Sequence, residues 1–151
     1  MFSKRSFLYF FGFFLMFHFA FAQSNDEVEI KEVIDVFFAG LHAGDTLKIR
    51  EAVGDKIIMQ SVNDSGLKSV IFNDFLKNIA SINPETTKIK EKIISLNIKS
   101  DGVMANAWTP YDFYINSEFS HCGINSFQLV KIEGSWKIIY IIDTRRKDNC
   151  N

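Results

Sequence analysis

Residues 118–127 read EFSHCGINSF, which sets a histidine, a cysteine and a glycine side by side in a run of strand-forming residues. An imidazole, with an ordinary pKa near ~6.5, is the natural general acid or base at neutral pH. A thiol becomes a nucleophile only with a base in hydrogen-bond reach, and neighbouring residues of a strand project to opposite faces. His121 therefore does not activate Cys122. Two roles fit His121: a proton-transfer group in a cavity, or a structural ring whose nitrogens satisfy backbone or tyrosine partners where a sheet bends. Tyr111 and Tyr140 are phenols able to polarise a carbonyl. Arg145 and Arg146 follow the last apolar run, where an arginine can clamp a carboxylate or phosphate, or simply mark a solvated strand end.

Other chemistries find little support. His42 and His121 stand 79 positions apart, and neither belongs to a metal-ligand spacing motif. No P-loop, dinucleotide fingerprint or G-x-S-x-G elbow occurs past the first 22 residues. No metal or cofactor is implied. His42 falls near the end of a helical segment, where it suits the helix C-terminus.

The elements that must position these residues follow from hydrophobic period. In SNDEVEIKEVIDVFFAGLHAGD, Ser24 and Glu27 match a capping box, and Val33, Ile34, Phe37, Phe38 and Leu41 form one apolar stripe closed by Gly44. TLKIREAV predicts a short helix capped by Asp45 or Thr46 and stopped by Gly54. KIIMQSV and LKSVIF flank the turn cluster NDSG as a hairpin, and NDFLKNIASI returns to helical spacing with Asn73 as cap. Four strands follow, turning at SDG, NSE and EG, with KIKEKIISLNIK read as one of them. The order is α-α-β-β-α-β-β-β-β, an α+β architecture in which a curved antiparallel sheet wraps over helices and leaves a concave side for a small molecule.

The ends and the composition set the compartment. Lys4 and Arg5, the apolar run FLYFFGFFLMFHF and the small-x-small site Ala20-Phe21-Ala22 are the three parts of a secretory signal over residues 1–22. A retained anchor is the alternative, but the apolar run is shorter than the ~20 residues that span a bilayer. One exported domain over residues 23–151, periplasmic or secreted, is expected. Without Lys4 and Arg5 it carries 15 basic and 18 acidic residues and no basic stripe, which argues against nucleic acid or a membrane surface as partner. Two cysteines in an oxidising compartment suggest a Cys122–Cys150 disulfide that holds the tail RRKDNCN.

Turn lengths assign faces. A two-residue Glu133-Gly134 loop pairs Ile132 with Ser135 and extrapolates to Leu129 opposite Ile138, Phe127 opposite Tyr140 and Cys122 opposite Arg145. That count puts Phe127, Leu129, Trp136, Ile138, Tyr140 and Ile142 on the concave side. Gln128, Val130, Lys137, Ile139, Ile141 and Asp143 fall on the other, whose β-branched residues suggest a homodimer surface. A three-residue NSE loop puts His121 opposite Phe113 and Gly123 opposite Tyr111, keeping His121 concave unless a bulge at Gly123 or Pro110 intervenes. Asp112 and Asp143 fall on the convex set, so the concave set holds no acid. Trp108 is expected on the convex side.

With this element order, the segments AWTPYDFYI, HCGINSFQLVK and GSWKIIYIIDTRR and the final Cys150 make the chain resemble the nuclear transport factor 2-like cone fold. More narrowly it is similar to small exported bacterial members grouped as SnoaL-like or putative lumazine-binding proteins. The resemblance implies a cone whose relatives include isomerases, dehydratases, cyclases, hydrolases and non-catalytic binders. The expected function is binding of a small apolar or aromatic molecule by Phe37, Leu41, Tyr111, Phe113, His121, Phe127 and Tyr140. The alternative is an isomerase-, dehydratase- or cyclase-type enzyme with His121 as general acid/base. A third possibility is a module whose cone is filled by its own side chains.

Overall fold

The stripe of apolar residues in the first helical segment is what the sheet closes upon. In the computed structural model, which describes residues 25–150, helix α1 spans residues 25–43 and buries Ile30, Ile34, Phe37, Phe38 and Leu41. The expected signal segment and the Ser24 cap lie outside the described residues. Gly44 ends the helix with φ 70, a left-handed conformation that glycine adopts without a Cβ penalty. Helix α2 (Thr46–Ala52) follows directly, and the Asp45 carboxylate accepts from the Leu47 and Lys48 N–H groups, as the capping pattern predicts. Helix α3 (Phe72–Ala80) starts at Ile71 without a side-chain cap, so Asn73 sits inside the helix. No helix among the described residues is long and apolar enough to cross a membrane.

The strands are β1 (Val53–Asn63), β2 (Gly66–Val70), β3 (Ile89–Ile93), β4 (Asn97–Ser100), β5 (Met104–Ile115), β6 (Glu118–Ile132) and β7 (Ser135–Thr144). The run KIKEKIISLNIK is thus two strands, because the chain leaves the ladder between Ile93 and Asn97. Both pair with β5, β3 along residues 111–115 and β4 along 105–108. The sheet order is β2-β1-β7-β6-β5-β3, and all neighbours are antiparallel except β1 and β7. The result is a curved, unclosed, mostly antiparallel sheet over N-terminal helices.

Bulges set which side chains face inward. The β6–β7 ladder starts as the Glu133-Gly134 turn predicts, with Ile132 opposite Ser135 and Leu129 opposite Ile138. It then shifts by one residue, so Gln128 faces Tyr140, Phe127 faces Ile141 and Asn125 faces Asp143. An extra residue on one strand exchanges the faces of everything beyond it. The register expected for the second half of β7 is therefore corrected: Ile141 and Asp143 are concave, and Tyr140 and Ile142 are convex. The hairpin between β5 and β6 has a two-residue turn, Asn116-Ser117, both at positive φ. A bulge at Ser120 restores the expected pairs, Phe113 with His121 and Tyr111 with Gly123. His121 stays concave.

Phe127, fully buried on β6, meets Phe37 and Phe38 edge-to-face at ring separations of 6.0 and 5.9 Å. Ile138, Leu129, Trp136 and Ala107 close the layer beneath α1, and Leu76 and Ile79 of α3 belong to the same core. Each buried leucine, isoleucine and phenylalanine here contributes about 1.5–3 kcal/mol by leaving water. At the far end of α1, Asp26 is buried and holds Lys131 of β6 at 3.0 Å, while Ser100 donates to its second oxygen at 3.2 Å. That clamp fixes the helix across the sheet.

Candidate functional site

Beside the C-terminal end of α1, the concave face turns from apolar to polar. On β6 the inward residues run from Phe127 to Asn125, Gly123 and His121. Asn125 donates from Nδ2 to Glu91 Oε1 of β3 at 2.6 Å and to Thr109 Oγ1 of β5 at 3.3 Å. His42, at the end of α1, accepts the Glu91 N–H on Nε2 at 2.9 Å. His42 therefore ties α1 to β3, which replaces the expected role at its own helix terminus. Burial, then Lys90, lowers its pKa.

Glu91 is the acid that sequence reasoning missed. Its strand alternates Lys90, Glu91 and Lys92, which reads as a charged surface run, yet Glu91 pairs with Phe113 and so points inward. Burial first, and the Asp143 carboxylate next, push its pKa up to about 7, against the hydrogen bond from Asn125 and the Arg145 charge. The β7 bulge turns Asp143 toward the same polar cluster. Its Oδ2 accepts from Arg145 Nε at 2.7 Å, and its side chain is only 13% exposed. Ser61 of β1 is buried opposite Asp143.

Tyr111 is buried beside this cluster, 2% exposed, and its hydroxyl donates to the Thr144 carbonyl at 3.0 Å. Burial, then Asp143 and Glu91, raise its pKa, so the phenol keeps its proton. His121 packs edge-on against Tyr111 (5.9 Å) and stacks on Phe113 (4.8 Å). Burial and Arg145 lower its pKa and outweigh the opposing pull of Asp143, which favours the neutral ring.

Gly123 explains how these strands come so close. A Cβ there would lie 1.8 Å from the Thr144 carbonyl oxygen and 2.9 Å from Tyr111 Cε1. Only glycine lets the end of β7 press onto β6 and accept the tyrosine's hydrogen bond. One step on, Cys122 exchanges backbone hydrogen bonds with Arg146, not with Arg145 as the unbulged count expected. Cys122 also bonds to Cys150, so the tail is held covalently to β6. Arg146 donates to the Asn149 carbonyl in that tail, while Arg145, half exposed, reaches back to Asp143.

The seven expected ligand contacts thus fall into three groups. Phe37, Leu41 and Phe127 are buried in the core against one another's layer. Tyr111, Phe113 and His121 stand together in the recess. Tyr140 is on the opposite face, where its hydroxyl donates to Gln60 Oε1 at 2.5 Å. Among the described residues no group of three or more His, Cys, Asp and Glu could hold a metal ion.

A curved sheet wrapped over N-terminal helices recurs in known proteins. The family model described as "Putative lumazine-binding" matches residues 25–141. The chain belongs to this family. Solved structures with the same nuclear transport factor 2-like fold carry the lumazine-binding family's architecture far beyond its sequence. A protein of unknown function from Shewanella baltica is 18% identical with a TM-score of 0.62, over 83% of this chain and 97% of that one. One from Pseudomonas putida is 15% identical with a TM-score of 0.68, over 83% and 90%. A protein titled "Putative Scytalone Dehydratase" from Novosphingobium aromaticivorans is 10% identical with a TM-score of 0.68, over 84% and 88%. At such identities the likeness establishes the fold alone. No curated protein matches the chain in sequence.

Proposed function

We propose that this chain is an exported protein that binds a small, flat aromatic molecule with a hydrogen-bonding edge, in the recess between β3, β5, β6 and β7, and releases it unchanged. The observation that carries this reading is the pairing of an aromatic wall, Phe113 and His121, with the Glu91 carboxyl that Asn125 orients on the same concave face. A protonated carboxyl near neutral pH both donates and accepts, which suits the edge of a heteroaromatic ring. Arg145 and Asp143 border the recess and are free to re-pair around a guest. The family's lumazine-binding description is in keeping with such a ligand. Export is supported by the Cys122–Cys150 bond.

A second reading is an acid/base enzyme of the isomerase, dehydratase or cyclase kind, with His121 as general acid/base. The clustering of Glu91 with His121 and Tyr111 favours it, because a carboxyl titrating near 7 can exchange protons at working pH. Native mass spectrometry of the exported protein separates the two. A retained adduct of unaltered mass, lost in Glu91→Gln and His121→Ala, supports the binder. Consumption of the bound compound by the wild-type protein, abolished by His121→Ala with the fold intact, replaces it with the enzyme.

We also propose that two copies pair through the convex face, where Trp108 is 50% and Ile58 57% exposed beside Tyr140 and Ile142. Light scattering at tens of micromolar tests this: a dimer that Trp108→Glu dissociates supports the surface, and a wild-type monomer removes it.

A further inference from the structure

Strand β3 is an edge strand, and it carries Lys88, Lys90 and Lys92 at alternate positions just before and along its length. Alternation puts the three on the face opposite Glu91, about 7 Å apart. All three are exposed, and none forms an ion pair among the described residues. They line a groove of about 620 Å³ that wraps the free edge of β3, with Ile89, Pro84 and the Tyr114 ring as apolar walls and Ser117 and His42 as polar ones. This volume falls within the range that small organic ligands occupy. The groove lies outside the recess described above and shares none of its lining residues.

We propose that this groove is a second binding site, for a small organic anion: a carboxylate or phosphate carried on an aromatic or apolar body. Three ammonium groups answer the anionic head, and Tyr114, Ile89 and Pro84 receive the body. His42 adds a directed donor. It lines the groove, and because its Nε2 accepts the Glu91 N–H, the neutral ring carries its proton on Nδ1, free of that bond. The same bond decides against a peptide adding to the edge as a further strand, since the outward N–H of Glu91 is already taken. One carboxylate opposes the cations on this face, Asp112, the β5 partner of Lys92. It is half-buried and leaves a net positive groove.

Titration calorimetry with phenyl phosphate, benzoate, inorganic phosphate and neutral benzyl alcohol tests the proposal, with amide chemical shifts to locate binding. Phenyl phosphate or benzoate should bind, with shifts at residues 88–92 and 114, and whichever binds tighter identifies the head group. Lys90→Gln/Lys92→Gln, both exposed and safe for folding, should weaken that binding by about tenfold or more. Melting temperature confirms that the variant is folded. Inorganic phosphate should bind more weakly, for want of a body. Benzyl alcohol binding as tightly as the anions, an unaffected double variant, or no binding at millimolar concentration would each overturn the proposal. Shifts at Tyr111, His121 and Asn125 instead would assign the anion to the recess and also overturn it. Glu91→Gln and His121→Ala should leave anion binding at the groove unchanged, so the two sites fail or stand separately.

Discussion

Gly123 bears more of the recess than any charged group does, since two backbones and a phenol meet across its hydrogen. Gly123→Ala should destabilise the protein by about 3 kcal/mol or more, because the atom it would strike is backbone and cannot rotate away. Chemical denaturation measures this, and a change within 0.5 kcal/mol, about the scatter of surface substitutions, would show that the strands separate freely. Glu91 gives a different signature. Its carboxyl is protonated more readily in the folded chain, near 7, than at its ordinary 4.5. The folded state then binds the extra proton between those values, so stability falls as pH rises through this window and levels off above it. Glu91→Gln should flatten that slope and stabilise the protein at pH 8 by about 2 kcal/mol. Equal slopes in wild type and variant would remove Glu91 as the cause. His121 should titrate below its ordinary value of 6.5, as imidazole proton shifts against pH will read.

At the scale of elements, the bulges decide what the recess contains. Deleting Ile139 would remove the extra residue from β7 and leave Ile141 and Asp143 facing inward and Tyr140 outward. That variant should keep Ile141 in the core, so a native-like tryptophan fluorescence before unfolding is expected, and its loss would show that the sheet needs the bulge itself. Most elements were legible in the sequence because each has a strong local signal: the α1 stripe, the Asp45 cap and the Glu133-Gly134 turn. His121 could be placed because a shortened turn and the Ser120 bulge cancel. The acids could not. Bulges arise from how a sheet must twist to close on a helix, a tertiary demand that leaves no mark in a two-residue period. Glu91 was hidden by its flanking lysines, whose alternation was itself the available clue that every second residue of β3 faces inward. The disulfide needed no register, since compartment and cysteine count sufficed. Cys150→Ser should cost about 2–4 kcal/mol, with no further loss on adding reductant.

For the molecule as a whole, the concave face divides into an apolar core beneath α1 and a polar cluster around Glu91 and Asp143. Phe127→Ala should cost about 3–5 kcal/mol, since its ring fills the space between Phe37 and Phe38, and it should loosen α1 along with His42 at its end. The sheet order carries one more consequence. Strand β7 lies between β1 and β6, joining the β2-β1 hairpin to the β6-β5-β3 half, yet it follows both in the chain. A ribosome delivers every other strand first, and none of those earlier strands can complete the sheet. Until β7 emerges, β1 and β6 each show a bare edge and α1 has only part of its floor. The sheet therefore closes only once β7 has been made, and every earlier strand waits unfinished for that one arrival.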